Sequence, residues 1–147
     1  MKLEEIHEMW AQDCVIDTTN LVESSRQTPL LHAKYLRLYS DAKSRVISLE
    51  LAQKRLLKKK WLYYNGKMTQ EEIDAEGWDY DPFKGLKVLK GEMNYYYDAD
   101  DDIQKSEARI LYQKEMVDTL KEMVDNIKWR HQTIKNMITM KMFEAGA

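Results

Sequence analysis

Apolar positions recur at three- and four-residue spacing over most of this chain, which predicts helices rather than strands. Near the N-terminus Leu3, Ile6 and Trp10 share one helical face, flanked by Glu4, Glu5 and Glu8. The pattern lapses over residues 13–20, where Asp17, Thr18 and Thr19 are capping or β-branched residues. Asn20 with Glu23 then has the form of a capping box opening a short helix. Thr28-Pro29 reads as an N-cap followed by proline at the first helical position, where its missing N–H does no harm. The expected arrangement is therefore short helices over 1–28 and a long helix over 29–65. Along that helix Tyr35, Leu38, Ala42, Leu49, Ala52 and Leu56 form an a/d seam, with Val46 filling in beside Arg45. Asn65-Gly66 supplies the left-handed stop.

Residues 66–100 form a connecting segment with a weaker pattern. Thr69 with Glu72 suggests another capping box, and Asp81-Pro82-Phe83-Lys84-Gly85 reads as a turn. Leu86-Lys87-Val88 and Tyr95-Tyr96-Tyr97 flank Lys90-Gly91, so either a small β-hairpin or an ordered loop fits. A second long helix is expected over 101–143. Its seam is Ile103, Ile110, Val117, Leu120, Val124, Ile127, His131, Ile134 and Ile138, with Met116, Met123 and Met137 widening the apolar face. Such a face asks for more cover than a short chain supplies. The expectation is homo-oligomerisation through Ile103, Ile110, Val117, Leu120, Val124, Ile127, Ile134 and Ile138, with more than two subunits.

Composition supports an all-α reading within one domain, 1–147. Only five Gly and two Pro occur among 147 residues, so long irregular stretches are few. No apolar run approaches the roughly 20 residues that span a bilayer, the N-terminus lacks the apolar core of a signal peptide, and a lone Cys14 excludes an internal disulfide. A soluble cytoplasmic protein is expected.

The net charge is near −2, so attraction to a polyanion must come from a local patch. One exists. Residues 52–67 hold six cations, Lys54, Arg55, Lys58, Lys59, Lys60 and Lys67, and no acid. Trp61, Tyr63 and Tyr64 sit among them. Cations interleaved with rings suit single-stranded nucleic acid, which exposes phosphates and unstacked bases together. Lys54, Arg55, Lys58 and Lys59 project away from the seam. Lys60 falls on the seam itself, and a buried lysine is costly. The last turns are thus expected to run out beyond the packed body, with Lys54, Arg55, Lys58, Lys59 and Lys60 on phosphates and Tyr63 and Tyr64 against bases. A solvated helix face, or a scaffold whose patch docks an acidic protein, remains the competing reading.

Catalytic chemistry finds no support. His7, His32 and His131 share no ligand spacing, and no Gly-rich phosphate loop is present. Asp98, Asp100, Asp101 and Asp102 lack the glycine and distal glutamate of an EF-hand, and acids before a helix complement its dipole. No enzyme activity, metal or cofactor is expected.

Met1-Lys2-Leu3-Glu4, Asp13, Ile16-Asp17, Leu36, Ala52-Gln53-Lys54, Lys58, Tyr63-Tyr64 and Gly66 stand in a familiar order. So do Tyr112, Asp125, Ile127-Lys128, Arg130, Ile134-Lys135 and the closing Phe143-Glu144-Ala145-Gly146. In these residues the chain resembles the UvsY recombination mediators of T-even-like bacteriophages, over nearly its full length. Residues 67–97 depart from the family in length and composition. The resemblance implies a helical, non-enzymatic factor acting in the infected bacterial host's cytoplasm. It would bind single-stranded DNA and load a RecA-like recombinase of the UvsX type. The strands it acts on would carry the phage single-stranded DNA-binding protein. It further implies a ring-like homo-oligomer, a heptamer, assembled through the C-terminal helix. The DNA-binding cations it carries over are Lys58, matched by Lys, and Lys60, where the family has Arg. That change keeps the charge but loses the bidentate fork. Lys59 and Trp61 are not matched in kind.

Overall fold

The computed structural model describes residues 1–146. Five α-helices follow in order: α1 Leu3–Asp13, α2 Leu21–Tyr64, α3 Gln70–Glu76, α4 Met93–Asp98 and α5 Asp101–Glu144, with a 3-10 turn at Lys90–Glu92 before α4. Among the described residues there is no strand. The chain packs as two units. One comprises Met1–Arg45 and Gln113–Ala147, the other Val46–Tyr112, and both α2 and α5 run through the two.

In the first unit, α1, the start of α2 and the C-terminal part of α5 bury Ile6, Tyr35, Ala42, Met116, Leu120, Met123, Val124 and Ile127 together. Trp10 meets Tyr35 edge-on at 5.1 Å, and the Tyr35 hydroxyl donates to Asp13 at 2.9 Å. The helix expected to begin at Pro29 instead starts at Leu21, capped by Asn20, whose side chain accepts from the Glu23 N–H at 3.1 Å. Proline inside a helix deletes one backbone bond and crowds the preceding turn, at a cost of about 3 kcal/mol. Here that turn is held from outside. The buried Arg130 guanidinium donates to the Thr28 hydroxyl and to the carbonyls of Cys14 and Ser24, at 3.2–3.5 Å.

The α5 seam supplies a second correction. Ile103, Ile110, Leu120, Val124, Ile127 and Ile134 are buried within the single chain, Val117 is half-buried, and Ile138 and His131 are exposed. Cover for most of that seam comes from the chain's own helices, so burial of these residues implies nothing about a neighbour. The buried line also changes register. It steps 103, half-buried 106, 110, 113 and then, after one short three-residue step, 116, 120, 123, 127, 130, 134. Such a three-residue insertion into a 3-4 repeat shifts the apolar line around the helix. It moves Met116, Met123 and Arg130 inward and His131 and Ile138 outward. The step occurs at Gln113, a buried amide that donates to the Ala42 carbonyl at 3.2 Å.

The second unit holds the segment whose conformation periodicity left open. Thr69 and Glu72 make the expected capping box of α3. The Asp81 carboxylate accepts from the N–H groups of Phe83 and Gly85, forming the expected turn. The hairpin is absent. Tyr95, Tyr96 and Tyr97 lie in α4, with centroids of Tyr96 and Tyr97 at 6.3 and 5.2 Å from that of Tyr64. Successive side chains of a strand point to opposite faces, whereas helical neighbours can converge on one ring.

Candidate nucleic-acid interface

Helix α2 ends in a Schellman turn. The Lys67 N–H donates to the Leu62 carbonyl at 2.8 Å and the Gly66 N–H to Tyr63 at 3.2 Å, with Gly66 at φ 67°. The chain then doubles back along the helix it has just left, carrying α3 to its side. This return divides the basic stretch into three environments.

Lys54, Arg55 and Lys58 point to solvent and make no ion pair among the described residues. Lys59 is exposed but bridges to Glu76 of α3 at 2.6 Å. Between the two helices runs a groove of about 400 Å³, with Arg55, Lys58 and Lys59 on one wall and Glu72 and Glu76 on the other. A basic run that is acid-free in sequence therefore faces carboxylates in space.

Lys60 is the first correction among the expected DNA contacts. It is 3% exposed, and its ammonium lies 2.9 Å from both Asp100 and Asp102. The same ammonium sits 3.8 Å from the centroid of the Trp78 ring, whose Nε1 donates to Asp102 at 3.1 Å. Burial of an ammonium is tolerated because two carboxylates and an aromatic face replace its water. Lys60 does lie on the inward line of α2, but the end of α2 does not run out beyond the packed body. The 67–102 segment covers it.

Tyr63 and Tyr64 are the second correction. Tyr63 is 6% exposed and donates to the Asp79 carbonyl at 2.5 Å. Tyr64 is half-buried among Phe83, Tyr96 and Tyr97 and donates to Asp100 at 2.7 Å. Burial, with the Asp100 hydrogen bond, pushes the Tyr64 phenol well above its ordinary 10. These rings form the core of the second unit and are not available to bases. The ring at the surface is Trp61, 45% exposed, with the Lys67 ammonium 4.7 Å from its centroid. Nothing in composition separates Trp61 from the tyrosines, and the helical angle sets it apart from Tyr63 but not from Tyr64, which lies only about 60° from it. At 100° per residue Trp61 lies within about 60° of Lys54 and Lys58, and Tyr63 lies on the opposite side.

Among the described residues no group of side chains is arranged to hold a metal ion, and no helix is long and apolar enough to cross a membrane. Asp100 is instead the N-cap of α5, its carboxylate accepting from the N–H groups of Asp102 and Ile103 at 3.0 Å.

The family model described as "Recombination, repair and ssDNA binding protein UvsY" matches residues 9–147. The recombination protein uvsY of Enterobacteria phage T4 is 29% identical over 146 residues, covering 99% of both chains. Crystal structures of the bacteriophage T4 recombination mediator protein UvsY superpose with TM-scores of 0.78 and 0.79 at 27% and 28% identity, over 98–99% of each chain. With sequence and fold agreeing from end to end, the chain belongs to the UvsY family of recombination mediators.

Proposed function

We propose that this protein is a non-enzymatic mediator that binds single-stranded DNA through the outward cations of α2. It then helps a RecA-like recombinase load onto strands already carrying a single-stranded DNA-binding protein, in the cytoplasm of the infected host. The observation that carries the reading is the exposed trio Lys54, Arg55 and Lys58, in a chain matched to the family throughout. Lys59 joins them once Glu76 is displaced.

One protomer is a weak binder on these terms. Three phosphate contacts give a log–log salt slope of only about −2, at roughly −0.7 per contact on single strands. A ring of copies, a heptamer on the family pattern, multiplies the patch by avidity and imposes a path on the strand. The strand so held is presented to the recombinase while its coat protein loosens. The test is Lys54→Ala with Lys58→Ala, titrated against a labelled single-stranded oligonucleotide at several salt concentrations. Affinity should fall and the slope flatten by about 1.4, with oligomer size unchanged. An unchanged affinity refutes the assignment.

A further inference from the structure

A strand held by lysines alone is gripped by its backbone, and a duplex would be gripped as well. Discrimination in favour of single strands needs a surface that takes an unpaired base. The tyrosines of the basic stretch are spent in the core of the second unit, which leaves one aromatic face beside the exposed cations.

Trp61 occupies the last full turn of α2 and keeps 45% of its surface open, a large exposure for an indole. Lys58 precedes it by three residues and Lys54 by seven, so all three share one side of the helix. They climb it over about 10 Å, at 1.5 Å per residue. The Schellman turn at Gly66 returns the chain and sets the Lys67 ammonium 4.7 Å from the indole centroid. That contact restrains the ring and places a cation over one of its two faces. A base would stack on the opposite face, with the Lys54 and Lys58 cations along the same side of the helix for the adjoining phosphates.

We propose that Trp61, steadied by Lys67, is the base-stacking platform of this protein's DNA site, with Lys54 and Lys58 holding the adjoining phosphates. The inference rests on the single-stranded DNA reading above and deepens it. It assigns selectivity for unpaired bases to one side chain, distinct from Tyr63 and Tyr64.

The experiment compares a labelled oligothymidylate with an abasic oligomer of equal length and phosphate number. Both are titrated at one salt concentration into the full-length assembled protein and its Trp61→Ala and Trp61→Phe variants. The native protein should prefer the oligothymidylate by between about fivefold and a hundredfold, the range for stacking one base on an aromatic side chain. Trp61→Ala should bind both oligomers as the native protein binds the abasic one, and Trp61→Phe should keep part of the preference. Because the side chain is exposed, both variants should match the native protein in circular dichroism and oligomer size. Equal native affinity for the two oligomers, or a preference surviving in Trp61→Ala, overturns the stacking role while leaving phosphate binding in place. Failure of the native protein to bind either oligomer overturns both readings.

Discussion

The ammonium of Lys60 lies 2.9 Å from the carboxylate of Asp100, with each side chain 4% exposed. The carboxylate also caps α5 and accepts from the Tyr64 hydroxyl. One buried anion thereby fastens the last turns of α2 to the first turn of α5. The pair is anchored on both sides: Asp102 is a second acceptor for Lys60, and Trp78 lies against the ammonium.

Removing one member of a buried ion pair strands the other in a site without water, which costs about 3–5 kcal/mol. Lys60→Met should therefore lower the denaturation midpoint of the protein sharply. Below its melting temperature the variant should keep nearly native affinity for single-stranded oligonucleotide, because Lys60 does not reach the surface. A large affinity loss in a variant that melts like the native protein would return Lys60 to the binding surface.

Acid should release the same fastening. Burial works to raise the Asp100 carboxyl, but hydrogen bonds from Tyr64, Lys60 and the Ile103 N–H outweigh it and hold the group below its ordinary 3.8. A carboxyl depressed in the folded state stabilises above its unfolded pKa, near 3.9, and that contribution is lost as pH falls through the folded value. Melting temperatures should thus hold steady down to about pH 5 and drop below about pH 4. Asp100→Asn should start lower and lose less over the acid limb. Identical acid limbs in the two proteins would remove Asp100 from this role.

Why this cluster escaped the sequence is a matter of distance along the chain. Helical periodicity placed Lys60 on the inward line of α2, and the Asn65-Gly66 stop and the Thr69 cap were legible because each is a local rule. The partners of Lys60 lie 40 and 42 residues on, across a segment of low periodicity, and no local rule joins them. Without them a lone buried lysine had to be moved to the surface. The same blindness mistook Tyr63 and Tyr64 for open rings, since their covering residues Trp78, Phe83, Tyr96 and Tyr97 sit in that segment. Pro29 misled for the opposite reason. A strong local signal was overridden by Arg130, 102 residues distant in sequence from Thr28.

On the proposed DNA reading, Glu76, bridged to Lys59 at 2.6 Å, would compete with phosphate for that lysine. An exposed ion pair is worth about 0.2–1 kcal/mol, so releasing the lysine should improve binding by no more than about fivefold, with a salt slope steeper by about 0.7. Glu76→Gln is the variant, and Glu71→Gln, further from the bridge, is its control. Equal effects of both would assign the gain to general charge rather than to the 2.6 Å contact.

Assembly is expected to separate two kinds of α5 residue. Ile127 is 2% exposed within one chain, in contact with the core of α1 and α2, so Ile127→Asp should unfold the first unit before it touches any interface. A charge placed there is left unpaired and buried, the costliest kind of substitution. Ile138, Met142 and Phe143 are 42%, 56% and 76% exposed on the last turns of α5, so the single chain leaves much of their apolar surface open. On the proposed assembly, large apolar side chains grouped at one end of a helix are where copies would meet. Phe143→Asp should therefore leave the helical circular dichroism and melting of the protomer intact while shifting sedimentation to smaller species. Oligonucleotide affinity should fall with it, because each patch then acts alone. If Phe143→Asp sediments as the native protein does, the end of α5 is not the proposed contact between copies.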